Sequence, residues 1–369
     1  MSYDPKKFEQ KKIFNFIVYI LDYIYKEITA TTKDIATEIH LHFFKKNKNP
    51  RKKILAYWDF NQRLSKMGDF IVFLEYLKIL RYETHLNQDY QRNIDICFID
   101  DNTHYNAKDA RFRKSYHFKK NINYLSAINE NIDSVLFFCS NREFEQFYLQ
   151  NKKRYIRWPP TVSGTLIADC RAIETFHTEH GFIPILDVPA EIKTEIYQFY
   201  EKYVYPSLPI VINIRNNKEH DAKRNSGTTE IERFISHYEN NKNYKFIVIC
   251  DKSEIPAELR KHHNILFSKD YFPEIEYDLA LIKTSYLSIF PSSGMACLAW
   301  FGNVPFIQHG PHGKDKFTRP QEGGYTFFNK YQRHFDNSVS AEWLISTFEK
   351  LVQDLEKDKV NNNERNRLR

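Results

Sequence analysis

The chain has 369 residues, which predicts two domains, and its 42% hydrophobic and 16% aromatic content is ample for real cores. A net charge of +7 fits anionic partners, but the basic excess is spread along the chain, which argues against nucleic acid. The five cysteines form no C-x-x-C pair and sit mostly in apolar runs, so they read as buried hydrophobes in a reducing compartment. No signal peptide is read at the N-terminus. The apolar run Ile13 to Ile24 is broken by Asn15 and Asp22 and is too short to span a bilayer.

Residues 1–48 are predicted to form a helical extension, with Phe14, Ile17, Leu21, Ile24 and Ile28 at helical spacing. A basic linker follows, from Lys45 to Lys53. It reads as a solvated connection, or, with the preceding aromatics, as a peripheral dock on a membrane or a partner. Ile54 to Phe60 is the first expected strand. A polar loop, Gly68-Asp69, and a helix from Phe70 to Arg81 come next. Further strands are expected at Ile94 to Ile99 and Ser134 to Cys139. Tyr155 to Pro160 and Phe182 to Val188 read as extended, and the basic, aromatic segment Arg111 to Lys120 has no clear place. Ala190 to Tyr203 is helical, and the proline-rich stretch after it links to a second half.

In that half, strands are predicted at Ile210 to Ile214, Tyr244 to Cys250, Ile265 to Phe267, Tyr286 to Phe290 and Val304 to Gln308. Helices are predicted at Thr228 to Glu239, Pro256 to Lys261, Glu274 to Lys283, Met295 to Phe301 and Ala341 to Lys357, with a polar, flexible tail over 358–369. The alternation gives an α/β protein of two Rossmann-like, doubly wound domains, over 50–204 and 205–357.

Only 10 glycines are present, where average usage gives roughly 26. A chain so poor in glycine keeps it where the backbone needs it. Gly294 follows Ser292 and Ser293 between a strand and a helix. Such a loop lies at the carboxyl end of a parallel sheet, where its amides and hydroxyls suit a phosphate, although an ordinary capped turn has the same spacing. The loop after Ile214 carries Arg215, Lys218, Lys223 and Arg224. Arg215 and one of Lys223 or Arg224 are the expected phosphate ligands. Asp251 closes the next strand as a turn residue or a ribose ligand, and His309 with His312 flanks Gly310-Pro311 near substrate. No P-loop or G-x-G-x-x-G is present, which excludes common kinase and nicotinamide sites. His177, His180, His262 and His263 show no companion ligands in their spacing, and no metal or other cofactor is expected.

The Gly68-Asp69 loop after the first strand and the Ser292-Ser293-Gly294 loop late in the second half resemble the GT-B glycosyltransferases, closest to the heptosyltransferase-like group. That group carries Gly-Asp opening a long helix. It also carries Asp-Ser-Gly and a histidine before an alanine-rich helix ending in Gly-x-Pro, as in Gly302-Asn303-Val304-Pro305 here. Ser292 replaces the aspartate and Cys297 the histidine. The resemblance implies two domains facing a cleft, with the acceptor in the first and a nucleotide-sugar donor in the second. It implies metal-independent sugar transfer to a glycan or lipid-linked acceptor, in surface polysaccharide or lipopolysaccharide synthesis at the cytoplasmic side of the membrane. Asp69 would then be the base, with Gly68 beside the substrate. On the residues alone, Asp69 reads equally as the cap of the helix that follows. The replacements at Ser292 and Cys297 motivate an alternative reading, a non-catalytic nucleotide- or glycan-binding protein on the same fold.

Overall fold

The computed structural model describes residues 52–60, 67–85, 93–100, 120–159, 170–216, 224–310, 320, 322–336 and 339–367. The predicted extension over 1–48, most of the basic linker, and Lys218, Lys223 and His312 lie outside them.

In chain order the first unit contains β1 (Lys53–Asp59), α1 (Met67–His85), β2 (Ile94–Ile99), α2 (Ile122–Ser126), β3 (Ile132–Phe138), α3 (Asn141–Asn151), β4 (Tyr155–Trp158), α4 (Arg171–His180) and α5 (Ala190–Tyr203). The second contains β5 (Leu208–Asn213), α6 (Thr228–His237), β6 (Tyr244–Ile249), β7 (Ile265–Phe267), α7 (Ser268–Tyr271), α8 (Ile275–Thr284), β8 (Leu287–Pro291), α9 (Ala296–Trp300), β9 (Phe306–His309), β10 (Gln332–Phe335) and α10 (Ala341–Arg367). Two sheets result, with strand orders β3-β2-β1-β4 and β10-β9-β8-β5-β6-β7. Among the described residues every pairing is parallel.

The central strands explain themselves. β5 and β8 are apolar on both faces and buried almost throughout, as a parallel sheet covered on both sides requires. Their order reverses between β5 and β8, because β6 and β7 lie to one side and β9 and β10 to the other. A crevice outside the carboxyl ends of those two strands is where such folds bind ligands.

The two sheets share a core. One buried apolar cluster runs from Trp58, Phe70 and Phe98 of the first unit to Phe290, Trp300 and Phe306 of the second. The junction also holds charge. Glu75 of α1 is fully buried, and burial pushes its carboxyl well up. Burial pushes Lys283 of α8 down to about 7, and its ammonium donates to the Phe301 carbonyl at 2.8 Å. Among the described residues no helix is long and apolar enough to cross a membrane.

Several elements differ from expectation. α1 begins at Met67, three residues before Phe70, so Asp69 lies inside the first turn and not at the cap. Residues 182–188, expected to be extended, join no ladder among the described residues, although Leu186 and Val188 are buried. β8 includes Pro291, whose missing N–H falls at the last residue of the strand. β10 carries the sequence Q-R-H-F, with too little apolar signal to be read as a strand. α10 continues to Arg367, where a flexible tail from residue 358 was predicted.

Candidate active site

Two glycines bring the halves of the site together. A Cβ built on Gly294 would lie 2.9 Å from the Gly68 amide nitrogen. One built on Gly68 would lie 2.9 Å from the Cys297 sulfur and 3.1 Å from the Gly294 Cα. No side chain fits between these backbones, so the start of α1 and the loop after β8 touch through glycine on both sides. Gly294→Ala forces backbone against backbone. It should cost about 1–3 kcal/mol, read as a lower melting temperature, and it should lower turnover as well. An unchanged melt with unchanged turnover would contradict the contact.

Asp69 is half-buried one residue beyond that contact, and its carboxylate complements the positive end of α1. Cys297, at the position where the resembling group has histidine, is buried against Gly68. Burial, with Asp69 nearby, pushes its thiol up, so it stays protonated. It fills space and carries no charge.

Beside the contact opens a cavity of about 480 Å³. Its walls come from both units: Met67 and Tyr124 from the first, and Asn213, Arg215, Asp251 and Glu254 with Ser293 and Gly294 from the second. The volume lies in the range of small-molecule sites, and its position is the reversal between β5 and β8.

The loop after β5 is braced from within. The Arg215 amide donates to Ser226 Oγ at 2.8 Å, and the Ser226 amide donates back to the Arg215 carbonyl at 2.9 Å. These two bonds set the backbone of Arg215 at the cavity wall. Its guanidinium donates to Asn225 Oδ1 at 2.8 Å. Arg224 has a different place. Its Nε donates to the Ser292 carbonyl at 2.7 Å, so it holds the glycine loop from behind and is not among the cavity-lining residues.

Ser292 is buried, with Gly310 packed against it. Gly310 has φ +123°, a conformation that side chains avoid, so this approach also needs glycine. Ser293 faces the cavity, and its hydroxyl donates to Asn213 Oδ1 at 2.7 Å. The helix after this loop has only five residues, too short for a strong macrodipole. A phosphate in this cavity would therefore meet Arg215 and the loop amides, not a helix terminus.

Asp251 is exposed at the cavity rim, as an end-of-strand residue should be. Glu254, which sequence reasoning missed, lines the same rim and accepts from the Asn216 amide at 3.3 Å. Asn213 and Lys269 were also missed. Lys269 pairs with buried Asp278 at 2.6 Å and donates to the Pro273 and Glu274 carbonyls, which pins the cavity's far wall.

His309 is 3% exposed at the end of β9 and does not line the cavity. Burial, with His334 beside it, pushes it down to about 4. It is neutral in the folded protein, while an unfolded chain binds its proton near pH 6.5. Stability should therefore rise with pH between about 4 and 6.5, by up to about 3 kcal/mol, and be lost as pH falls through that window. Urea titrations across pH 4–7 should show this slope in the wild type and a flatter one in His309→Gln. Equal slopes would contradict the burial assigned to His309.

Three histidines, His180, His262 and His263, do have acidic companions, contrary to the sequence reading. Glu83, Glu179 and His180 place potential ligand atoms within 4.8 Å of one another where α1 meets α4. His262 lies between Glu232 and Glu239, at 3.1 and 3.3 Å. Apart from Glu179, which adjoins His180, these carboxylates come from elsewhere in the chain, so local spacing does not reveal them. Neither group lines the cavity.

Two parallel sheets joined at a shared core, with a cavity at their carboxyl ends, make the GT-B fold. No family model matches the sequence, and no curated protein matches it. The structure is similar to the glycosyl transferase family 9 structure from Veillonella parvula, with 11% identity, a TM-score of 0.54, and 84% of this chain and 99% of that one covered. It is equally similar to the E. coli ADP-heptose lps heptosyltransferase II, with 11% identity, a TM-score of 0.54, and 82% and 99% coverage. At this identity the likeness is one of fold.

Proposed function

We propose that this protein is a glycosyltransferase that moves a sugar from a nucleotide-sugar donor to a glycan or lipid-linked acceptor. The observation that carries the reading is the Gly68–Gly294 contact, which brings the first turn of α1, with Met67 in the cavity wall and Asp69 two residues further on behind it, against a cavity walled by Arg215 of the other unit. Sugar transfer needs both parts: a base for the acceptor hydroxyl and positive charge for the leaving diphosphate. Asp69 is the base. Arg215 and the amides of the Ser293-Gly294 loop hold the diphosphate, and Asp251 with Glu254 takes the nucleoside end. Arg224 supports the loop by its bond to the Ser292 carbonyl. No metal or other cofactor has a part in this scheme. The fold's likeness to a lipopolysaccharide heptosyltransferase supports an acceptor from surface polysaccharide or lipopolysaccharide synthesis, met at the inner face of the membrane.

The test is release of nucleoside diphosphate from a panel of nucleotide sugars, with and without EDTA. One donor should be turned over at the same rate in both conditions, faster with a glycan acceptor. The second reading, a binder without turnover, draws on Ser292 and Cys297, which lie buried where the resembling group has aspartate and histidine. Binding of a nucleotide with no release from any donor would favour it.

A further inference from the structure

The hydrogen bonds around Ser293 fix more than its position. Asn213 ends β5, and its side-chain amide donates from Nδ2 to the Ile249 carbonyl at 3.0 Å. A carbonyl can only accept, so this bond determines which end of the Asn213 amide faces which way. Oδ1 is left facing Ser293, and it accepts the Ser293 hydroxyl proton at 2.7 Å. A serine hydroxyl has one proton to give. With that proton committed to Asn213, the Ser293 oxygen offers the cavity only lone pairs. Phosphate oxygens at neutral pH are also acceptors, and two acceptors repel. Both residues line the cavity, and Asn213 is 6% exposed, so solvent does not readily break the pair.

We infer that Asn213 is a positioning residue that makes Ser293 an acceptor, so that Ser293 selects a hydroxyl of the donor and is not a phosphate ligand. The inference rests on the nucleotide-sugar reading above and corrects the expectation that the Ser293 hydroxyl binds phosphate. The loop's backbone amides keep that role. The hydroxyl comes either from the ribose or from the transferred sugar.

Calorimetry with three ligands separates these sources: a nucleoside diphosphate, its 2′,3′-dideoxy form, and the matching nucleotide sugar. Ser293→Ala should bind the dideoxy form within about twofold of wild type, because its phosphates never met the hydroxyl. It should lose about three- to tenfold for a ligand carrying the contacted hydroxyl. A loss already present with the plain diphosphate assigns the ribose, and a loss confined to the nucleotide sugar assigns the sugar. Ser293→Thr keeps an Oγ and should bind all three as wild type does. Asn213→Ala frees the hydroxyl to turn towards phosphate. In that background Ser293→Ala should begin to weaken the dideoxy form.

A dideoxy diphosphate weakened fivefold or more by Ser293→Ala alone would make Ser293 a phosphate ligand and overturn the inference. So would unchanged affinity for all three ligands. A wild-type protein that binds none of them would instead remove the functional reading, and the inference with it.

Discussion

Asp69→Asn should lower sugar transfer by about 10²–10⁴, the usual worth of a positioned base, while the donor still binds. The separation follows from the layout. Asp69 belongs to α1 of the first unit, and the residues assigned to the diphosphate belong to the second. Stability should change little. Asp69 sits in the first turn of α1, so loss of its charge removes a helix-dipole interaction worth about 0.3–1 kcal/mol. Asn keeps the shape and hydrogen-bonding capacity of the side chain, which leaves the Gly68–Gly294 contact undisturbed. Turnover and melting of the same variant therefore answer different questions. Near-normal turnover would remove Asp69 from the mechanism, whatever the melt shows.

Arg215→Ala should weaken nucleoside diphosphate binding by roughly ten- to more than a hundredfold. A charge-assisted contact to phosphate is worth about 1.5–3 kcal/mol, which converts to that range. The fold should tolerate the change better than the site does. The bonds that brace the loop, from the Arg215 amide to Ser226 and from the Ser226 amide to the Arg215 carbonyl, are made by groups that alanine retains. Calorimetric titration of both proteins with the same nucleotide reads the effect. Equal affinities would place the phosphates elsewhere.

Much of the architecture was legible because parallel strands buried on both faces write long apolar runs. β5, β6 and β8 all appear in the sequence within two residues of their observed ends. The shortage of glycine was informative for the same reason. Gly68 and Gly294 lie more than two hundred residues apart, yet each marks a backbone segment, the start of α1 and the loop after β8, that the fold brings against the other. What escaped depends on partners distant in sequence. β10 is a strand only because β9 offers it an edge. Asn213 ends a strand with no motif around it, and its role exists only once Ile249 and Ser293 are on either side. Ser292 and His309 were read as substrate residues from their loops, and both turn out to be buried at the sheet ends. Lone polar residues after a strand do not reveal whether they face the cleft or the sheet beside it. The start of α1 was misplaced by three residues because Met67-Gly68-Asp69 reads as a loop, and glycine is a poor helix former unless a close approach requires it.

A crystal structure of the protein with a nucleoside diphosphate bound should show that nucleotide in the cavity between the two units. The diphosphate should lie between the Arg215 guanidinium and the amides of the Ser293-Gly294 loop, with Asp251 and Glu254 at the nucleoside end and the Asp69 carboxylate facing the open side. A nucleotide found outside this cavity, or one that leaves Arg215 on Asn225 with no contact to phosphate, would show that the donor binds elsewhere.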